Sequence, residues 1–301
     1  MHRNVEPDIS IVVSERAQTV DRRRRNEGSG DGGDDGGLSA PGESAEALRP
    51  TLADEAYQEL KRRIVMIEFE PGAQFREADI AASLGLGKTP VREALLRLRL
   101  EGLVRVQSRS GYSVSPVTLK SARSVCELRA LLEGEAAHRA AFATGGALED
   151  LLAVEEAGRR TLVALDLATL SRDRETLTTW LDTERAFHLA LAHASGNELL
   201  AEVLSGVLEG FARLCYLASA LGPREALPVA DHQDLVSAIS SGHAAEAQSL
   251  VAGEIRATEN WLIQALLRSE SLSTTNVDAT PGARPHNFYL DVPTDRRGQG
   301  G

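Results

Sequence analysis

The stretch that most constrains this chain runs from residue 52 to residue 114, where three helical patterns, a glycine-rich turn and an alternating hairpin follow one another without a gap. Leu52, Ala56, Leu60, Ile64 and Ile67 recur at three- and four-residue intervals, which places them on one face of a first helix ending near Glu68. Pro71 and Gly72 stop that helix. Residues 77 to 84 read as a short second helix with Ile80, Ala81 and Leu84 inward, and Gly85-Leu86-Gly87 supplies a turn in which positive φ is cheap. A third helix opens near Thr89, with Pro90 at its first position, and runs through Val91, Ala94, Leu95, Leu98 and Leu100 to a stop at Gly102. The period then alternates through Leu103, Val104 and Val106, turns at Ser108-Arg109-Ser110-Gly111 and resumes at Tyr112 and Val114, as a two-stranded wing does.

This order predicts a winged helix-turn-helix. Lys88, Arg92 and Arg99 lie on the outer face of the third helix, and Arg109 sits at the wing tip. A basic rod beside a basic, glycine-tipped wing supplies what duplex DNA requires, a helix sized for the major groove and cations for the phosphates. Taken singly, each of these cations also reads as an ordinary solvated charge. Their ordered combination favours the DNA-facing reading.

The runs Phe69-Glu70-Pro71-Gly72, Phe75-Arg76-Glu77-Ala78-Asp79-Ile80-Ala81, Thr89-Pro90-Val91-Arg92-Glu93-Ala94-Leu95 and Glu101-Gly102-Leu103-Val104 resemble the DNA-binding domain of GntR-family transcriptional regulators. The resemblance implies a homodimer on a short palindromic operator in double-stranded DNA. The start of the third helix would lie in the major groove and the wing glycine in the minor groove. Carried over by position, the contact residues are Lys88, Thr89, Arg92 and Gly111. Gly87 stands where the family usually has Ser or Thr, and Lys88 where it usually has Arg. A phosphate-binding hydroxyl is thus lost and a forked guanidinium becomes a point charge.

A net charge of −11 would argue against nucleic acid if it were spread evenly. Residues 51–115 carry 10 Lys+Arg against 9 Asp+Glu, a net of +1, whereas residues 116–270 carry 13 against 22, a net of −9. The acidity therefore lies behind the reading head. At 301 residues and 42% hydrophobic, the chain is long enough for two cores. Cys126 and Cys215 sit in apolar helical patterns and read as small buried hydrophobes. No apolar run approaches the ~20 residues of a membrane helix, and Ile11 to Val13 is too short for a signal-peptide core, so the expectation is a cytoplasmic protein.

Residues 1–48, with Arg22 to Arg25 followed by Gly-, Ser- and Asp-rich sequence, have a composition that cannot bury a core and read as a disordered extension. Residues 271–301 read as a flexible tail. Between them the expected domains are a winged helix-turn-helix over 49–116 and an all-helical domain over 117–270, so the fold class is mostly α. The helical domain reads as six spans, roughly 118–143, 147–166, 172–195, 197–220, 224–241 and 243–268, separated by Gly145-Gly146, Ser171, Gly196, Gly222-Pro223 and Gly242.

Glu184 and His188 are four apart and project from one face about a turn apart. His232 is read into a later helix, and Glu254, 22 residues on, lies where a helical hairpin can return toward it. Two imidazoles and two carboxylates on three helices can form a site for a divalent metal, Zn, Ni or Mn. An i, i+4 surface pair is the alternative reading of Glu184 and His188.

Glu127-Leu128-Arg129-Ala130-Leu131-Leu132-Glu133, Phe187-His188 with Ser195-Gly196-Asn197, and Asp231-His232 with Ala238-Ile239 resemble the all-helical FCD domain of the FadR-like branch of GntR regulators. That resemblance implies a divalent metal held by one Asp and three His, with a small organic acid bound beside it. His188 and His232 match two of the histidines, Glu184 falls at the Asp, and Glu254 replaces the last His by an anion. A harder, more oxygen-loving ion is expected in consequence. Arg129 matches an arginine that faces the effector cavity, with Glu133 one turn away. Arg129 is thus a candidate for a forked contact to an effector carboxylate, and an Arg129–Glu133 pair within the helix is the alternative. Asn197 reads as a helix cap, and Trp180, Phe187, Phe211 and Trp261 as core or pocket lining.

The function this predicts is an effector-responsive DNA-binding regulator, a repressor by the usual sign, in which a small molecule in the bundle changes the spacing of two winged domains. Two alternatives stand beside it. One is a metal-dependent helical-bundle enzyme with Glu184 or Glu254 as general base, although no His-Glu-x-x-His motif occurs. The other is a regulator whose helical domain only dimerises.

Overall fold

The computed structural model describes residues 50–107, 111–222 and 226–268. The expectations for residues 1–48, for residues 271–301 and for Arg109 lie outside the described residues. The chain is mostly helical. The element order is α1 (Leu52–Val65), β1 (Gln74–Phe75), α2 (Glu77–Leu84), α3 (Lys88–Leu100), β2 (Val104–Gln107), β3 (Gly111–Val114), α4 (Leu119–Ala140), α5 (Gly146–Ala164), α6 (Arg174–Ala194), α7 (Glu198–Ala220), α8 (Gln233–Ser240) and α9 (Ala244–Leu267).

The apolar periodicity of the first segment closes a small core. Ala56, Tyr57, Leu60 and Ile64 of α1 meet Val91, Ala94, Leu95 and Leu98 of α3, with Ile80, Val104 and Val114 completing the cluster. Thr51 caps α1 in a reciprocal capping box with Asp54, so two orphan N–H groups of the first turn are satisfied. The wing is the expected β2–β3 hairpin with one addition. Gln74 and Phe75 pair antiparallel with Ser113 and Tyr112, so the sheet has three strands in the order β1-β3-β2. The turn at Pro71-Gly72 extends the chain into β1 and sets Phe75 between Phe69 and Tyr112, with ring centroids 5.9 and 6.1 Å apart.

The first helix stops earlier than its periodicity indicates. Ile67 lies beyond the helix end at φ 59°, a left-handed conformation that costs a β-branched residue on the order of 1–3 kcal/mol. Val65, Met66 and Ile67 pack against the core of the helical domain rather than their own. Further ties join the two cores. Lys61 of α1 forms an ion pair with Glu209 of α7, Arg174 of α6 donates to the carbonyl of Met66, and Arg213 of α7 donates to the carbonyl of Ser115, 2.6 Å away.

The second core lies among α4, α6, α7 and α9, with α5 packed on α6 and α8 on α9. Helix starts follow local chemistry. Thr118 and Ser121 form a capping box on α4, Asp173 accepts from Thr176 N–H on α6, and Asn197 accepts from Leu200 N–H as the sequence indicates. One helical span is much shorter than read. Residues 226–231 are irregular and His232 is the N-cap of α8, because Pro228 lacks an N–H and disfavours helical conformation in the residue before it. α7 also departs from the reading, since by length and composition alone, with a mean hydropathy of 1.3, it could cross a membrane. Here it is a core helix that buries Leu204, Phe211, Leu214 and Cys215 and carries Glu202, Glu209 and Arg213. Cys126 and Cys215 are buried free thiols, and burial pushes the Cys126 thiol up to about 12.

Gly111 stands at φ 95°, and a Cβ there would come 2.7 Å from the Phe75 carbonyl oxygen; Gly72, at φ 86°, has open space around the same position. Gly111→Ala should therefore cost about 1–3 kcal/mol more stability than Gly72→Ala in urea unfolding. Equal losses would show that β1 does not press on the wing.

Candidate functional site

Two sets of side chains stand out, one at the start of α3 and one inside the bundle. Lys88, Thr89 and Arg92 are all exposed on the first turns of α3. Gly87 caps this helix without a side chain, so its first N–H groups remain open to an anion. Arg92 is held ready by a forked contact to Glu77 of α2, at 3.0 and 3.1 Å. Arg97, on the same helix, turns away: it pairs with Asp54 at 2.7 Å and lies over the Tyr57 ring. Gly111 sits at the base of β3 against β1, which gives this glycine a structural reason independent of any groove contact.

Inside the bundle, the helical repeat of α6 puts Glu184 and His188 on one inward face, the α8 N-cap supplies His232 and α9 supplies Glu254. His188 Nε2 lies 3.6 Å from Glu184 Oε2, and His232 Nε2 lies 3.9 Å from Glu184 Oε2 and 3.8 Å from Glu254 Oε2. One ligand atom from each of Glu184, His188 and His232 falls within 4.8 Å of the others. The Glu184–His188 pair is therefore not a surface pair. His232 stacks flat on Phe187, with ring centroids 3.9 Å apart, and edge-on to His188 at 5.4 Å.

Glu133 is the residue whose setting the sequence conceals. It is 0% exposed, and α4 drives it between Arg129 and His188. Arg129 donates through Nε and Nη2 to its two oxygens at 2.6 and 3.2 Å, and His188 Nδ1 lies 2.8 Å from Oε2. The Arg129–Glu133 pair within the helix thus forms. Arg129 also rests over the Phe211 ring, 4.0 Å from its centroid, and lines both cavities at the site, whereas Glu133 lines neither. The sequence around Glu133 carries no signal of its burial: Leu131, two residues before it, is 71% exposed.

The protonation states follow from these contacts. Burial would push the His188 imidazolium down, but the Glu133 carboxylate and then Glu184 outweigh it and raise His188 to about 9. Burial likewise works against the Glu133 anion, yet Arg129 and His188 hold it down at about 2. Burial drives His232 down to about 4 and Glu254 up to about 7. Glu184 Oε1, His232 Nε2 and Glu254 Oε2 are buried with no hydrogen-bond partner. Orphaned donor atoms of this kind suit a divalent cation, and the small cavity beside them, of about 10 Å³, has room for one ion or water and no organic molecule.

A larger cavity of about 370 Å³ adjoins the cluster through Arg129, Glu184 and His188 and extends to Arg62, Val65 and Met66 of α1. Phe211 lines it, Phe187 backs the histidines and Trp180 belongs to the core. Among the described residues the remaining histidines stay outside: His193 pairs with Glu198 and His243 with Glu246 on the surface, and His138 faces Phe142.

A winged head with an exposed basic helix, carried on a helical bundle, defines a DNA-binding transcriptional regulator. Comparison with known proteins agrees. Residues 52–114 match the gntR family of bacterial regulatory proteins and residues 124–257 match the FCD domain. The chain therefore belongs to the GntR family and carries an FCD domain. It is 30% identical over 136 residues to an HTH-type transcriptional regulator in the TAR-I ttuE-ttuC' intergenic region of Agrobacterium vitis, covering 45% of this chain and 76% of that one. It is 26% identical over 230 residues to an HTH-type regulator in an unstable DNA locus of Streptomyces ambofaciens, covering 76% and 93%. Among solved structures, E. coli McbR/YncC shares the fold at a TM-score of 0.54 and 20% identity, over 71% of this chain and 98% of that one. The families and relatives are transcriptional regulators and not enzymes.

Because His188 binds its proton more tightly folded than unfolded, its stabilising contribution is complete below pH 6.5 and is lost as pH rises to about 9. Glu254 loses stability in the same direction between pH 4.5 and about 7. In metal-free protein, His188→Gln should flatten the upper limb of the stability–pH curve in urea unfolding. An unchanged slope between neutral pH and pH 9 would contradict the Glu133–His188 pairing.

Proposed function

We propose that this regulator is a homodimeric, cytoplasmic repressor whose affinity for a palindromic operator is set by a small organic acid in the bundle, beside a divalent metal. Lys88, Thr89 and Arg92 read the major groove, and Arg109 and Gly111 meet the backbone or the minor groove at the wing. The observation that carries the reading is a cluster of orphaned ligand atoms opening onto a cavity that touches the DNA-binding domain. A bundle that served only to dimerise would have no use for either.

Glu184, His188, His232 and Glu254 would hold the metal, which would supply a coordination position for an oxygen of the ligand. Glu133 stands 2.8 Å from His188 Nδ1 as an ion-pair partner and leaves Nε2 toward the cluster, so a carboxylate backs the metal-facing imidazole. His188 must shed its raised proton to ligate, so metal affinity rises with pH. Two carboxylates neutralise a dication, so the charge that attracts an acid falls to Arg129. Its Nε and Nη2 are taken by Glu133, and it faces the cavity beyond that pair.

The test is fluorescence anisotropy of the full chain on DNA from its own upstream region at fixed salt, before and after metal stripping and with organic acids added. Saturable, sequence-selective binding that Arg92→Ala weakens by about 1–3 kcal/mol and an acid releases is the expected result. In parallel, Zn2+ or Mn2+ should raise the melting temperature of the wild type and not of His232→Ala. Selective DNA binding that no acid or metal alters would reduce the bundle to a dimerisation module.

A further inference from the structure

The larger cavity belongs to two domains. On the bundle side it is lined by Arg129, Glu184 and His188, by the apolar Leu208 and Phe211 and by the charged Asp182, Arg185 and Glu209, and on the other side by Arg62 and Val65 of α1 with Met66 at its end. α1 packs directly on α3, the helix that carries Lys88 and Arg92. Just past the end of α1, Ile67 is held at φ 59° and the Met66 carbonyl is tied to Arg174 of the bundle. The cavity volume of about 370 Å³ is at the lower end of the ~300–1,000 Å³ typical of small-molecule sites.

A ligand shifts an equilibrium between two domain arrangements only through contacts that differ between them. A molecule held only at Arg129, Glu184 and His188 touches the bundle alone and reaches the DNA-binding domain only indirectly, through changes within the bundle. One that also reaches Val65 and Met66 touches the DNA-binding domain and has unequal affinities. We propose that the cavity selects its effector by length: a carboxylate head is held at the Arg129 end, and the apolar body must reach the end of α1 to change DNA affinity. The proposal rests on the effector reading given above and adds the wall that converts occupancy into a signal.

The test uses the full chain and straight-chain monocarboxylates from acetate to octanoate as probes. Calorimetry measures binding and anisotropy on the upstream DNA measures coupling. Acetate should bind and leave DNA affinity unchanged, and octanoate should bind and change it by about tenfold or more. In Met66→Ala, octanoate should still bind while its effect on DNA affinity falls away. In Leu208→Trp, which fills cavity space from its apolar lining, octanoate binding should be lost and acetate binding kept. Equal effects of acetate and octanoate, or full coupling in Met66→Ala, would overturn the length proposal and leave the effector reading standing. Failure of every acid to bind would remove both.

Discussion

A fully buried carboxylate at Glu133 is the constraint on which the functional half of this molecule turns. An ionised group at zero exposure is tolerable only if it is paired and hydrogen-bonded, and Glu133 is paired on both sides. One partner, Arg129, comes from its own helix, and the other, His188, comes from α6. The pairing holds α4 and α6 in register and fixes which nitrogen of His188 faces the cluster. Removing Glu133 would leave two buried cations uncompensated, so its replacement is far more damaging than its own loss of contacts indicates.

That arrangement explains how the site tolerates its unusual composition. Arg129 and the proton on His188 offset the carboxylates of Glu133 and Glu184, and burial raises Glu254 to about 7, so that below this pH it keeps its proton and the cluster stays near neutral. A dication bound there would exchange for the His188 proton, so the charge of the cluster would change by less than the charge of the metal. The same economy of charge separates the bundle from the reading head. The acidity of the chain is concentrated behind the wing, and the cations on α3 act through their placement rather than through a net positive field.

Most helices were legible because their periodicity and caps agree with the packing: α3 and α4 fall within a few residues of the sequence reading, and Asn197 caps α7 as its position indicates. The departures have identifiable causes. His232 precedes α8 because Pro228 holds the preceding chain out of a helix, and β1, formed by pairing with β3, was not legible because a two-residue strand has no period to detect. The convergence of Glu184, His188, His232 and Glu254 was readable from helical spacing and family resemblance together. The burial of Glu133 was not, because it depends on a contact between α4 and α6 more than fifty residues apart. The turn of α1 toward the bundle was likewise hidden: Ile67 continues the apolar stripe of α1, but its left-handed backbone redirects it to the other core.

The two halves meet at the end of α1, where Lys61 reaches Glu209, Arg174 reaches Met66, and the larger cavity touches both sides. The central claim is that the buried cluster and the DNA-binding domain are one coupled system. Amide hydrogen exchange of the full chain, with and without Zn2+ and octanoate, tests it most directly. The account expects altered protection in the last turn of α1, around Arg62 to Met66, although no ligand atom of the cluster belongs to that helix. Changes confined to α4, α6 and α9 would contradict it and leave the bundle a site without a route to the DNA.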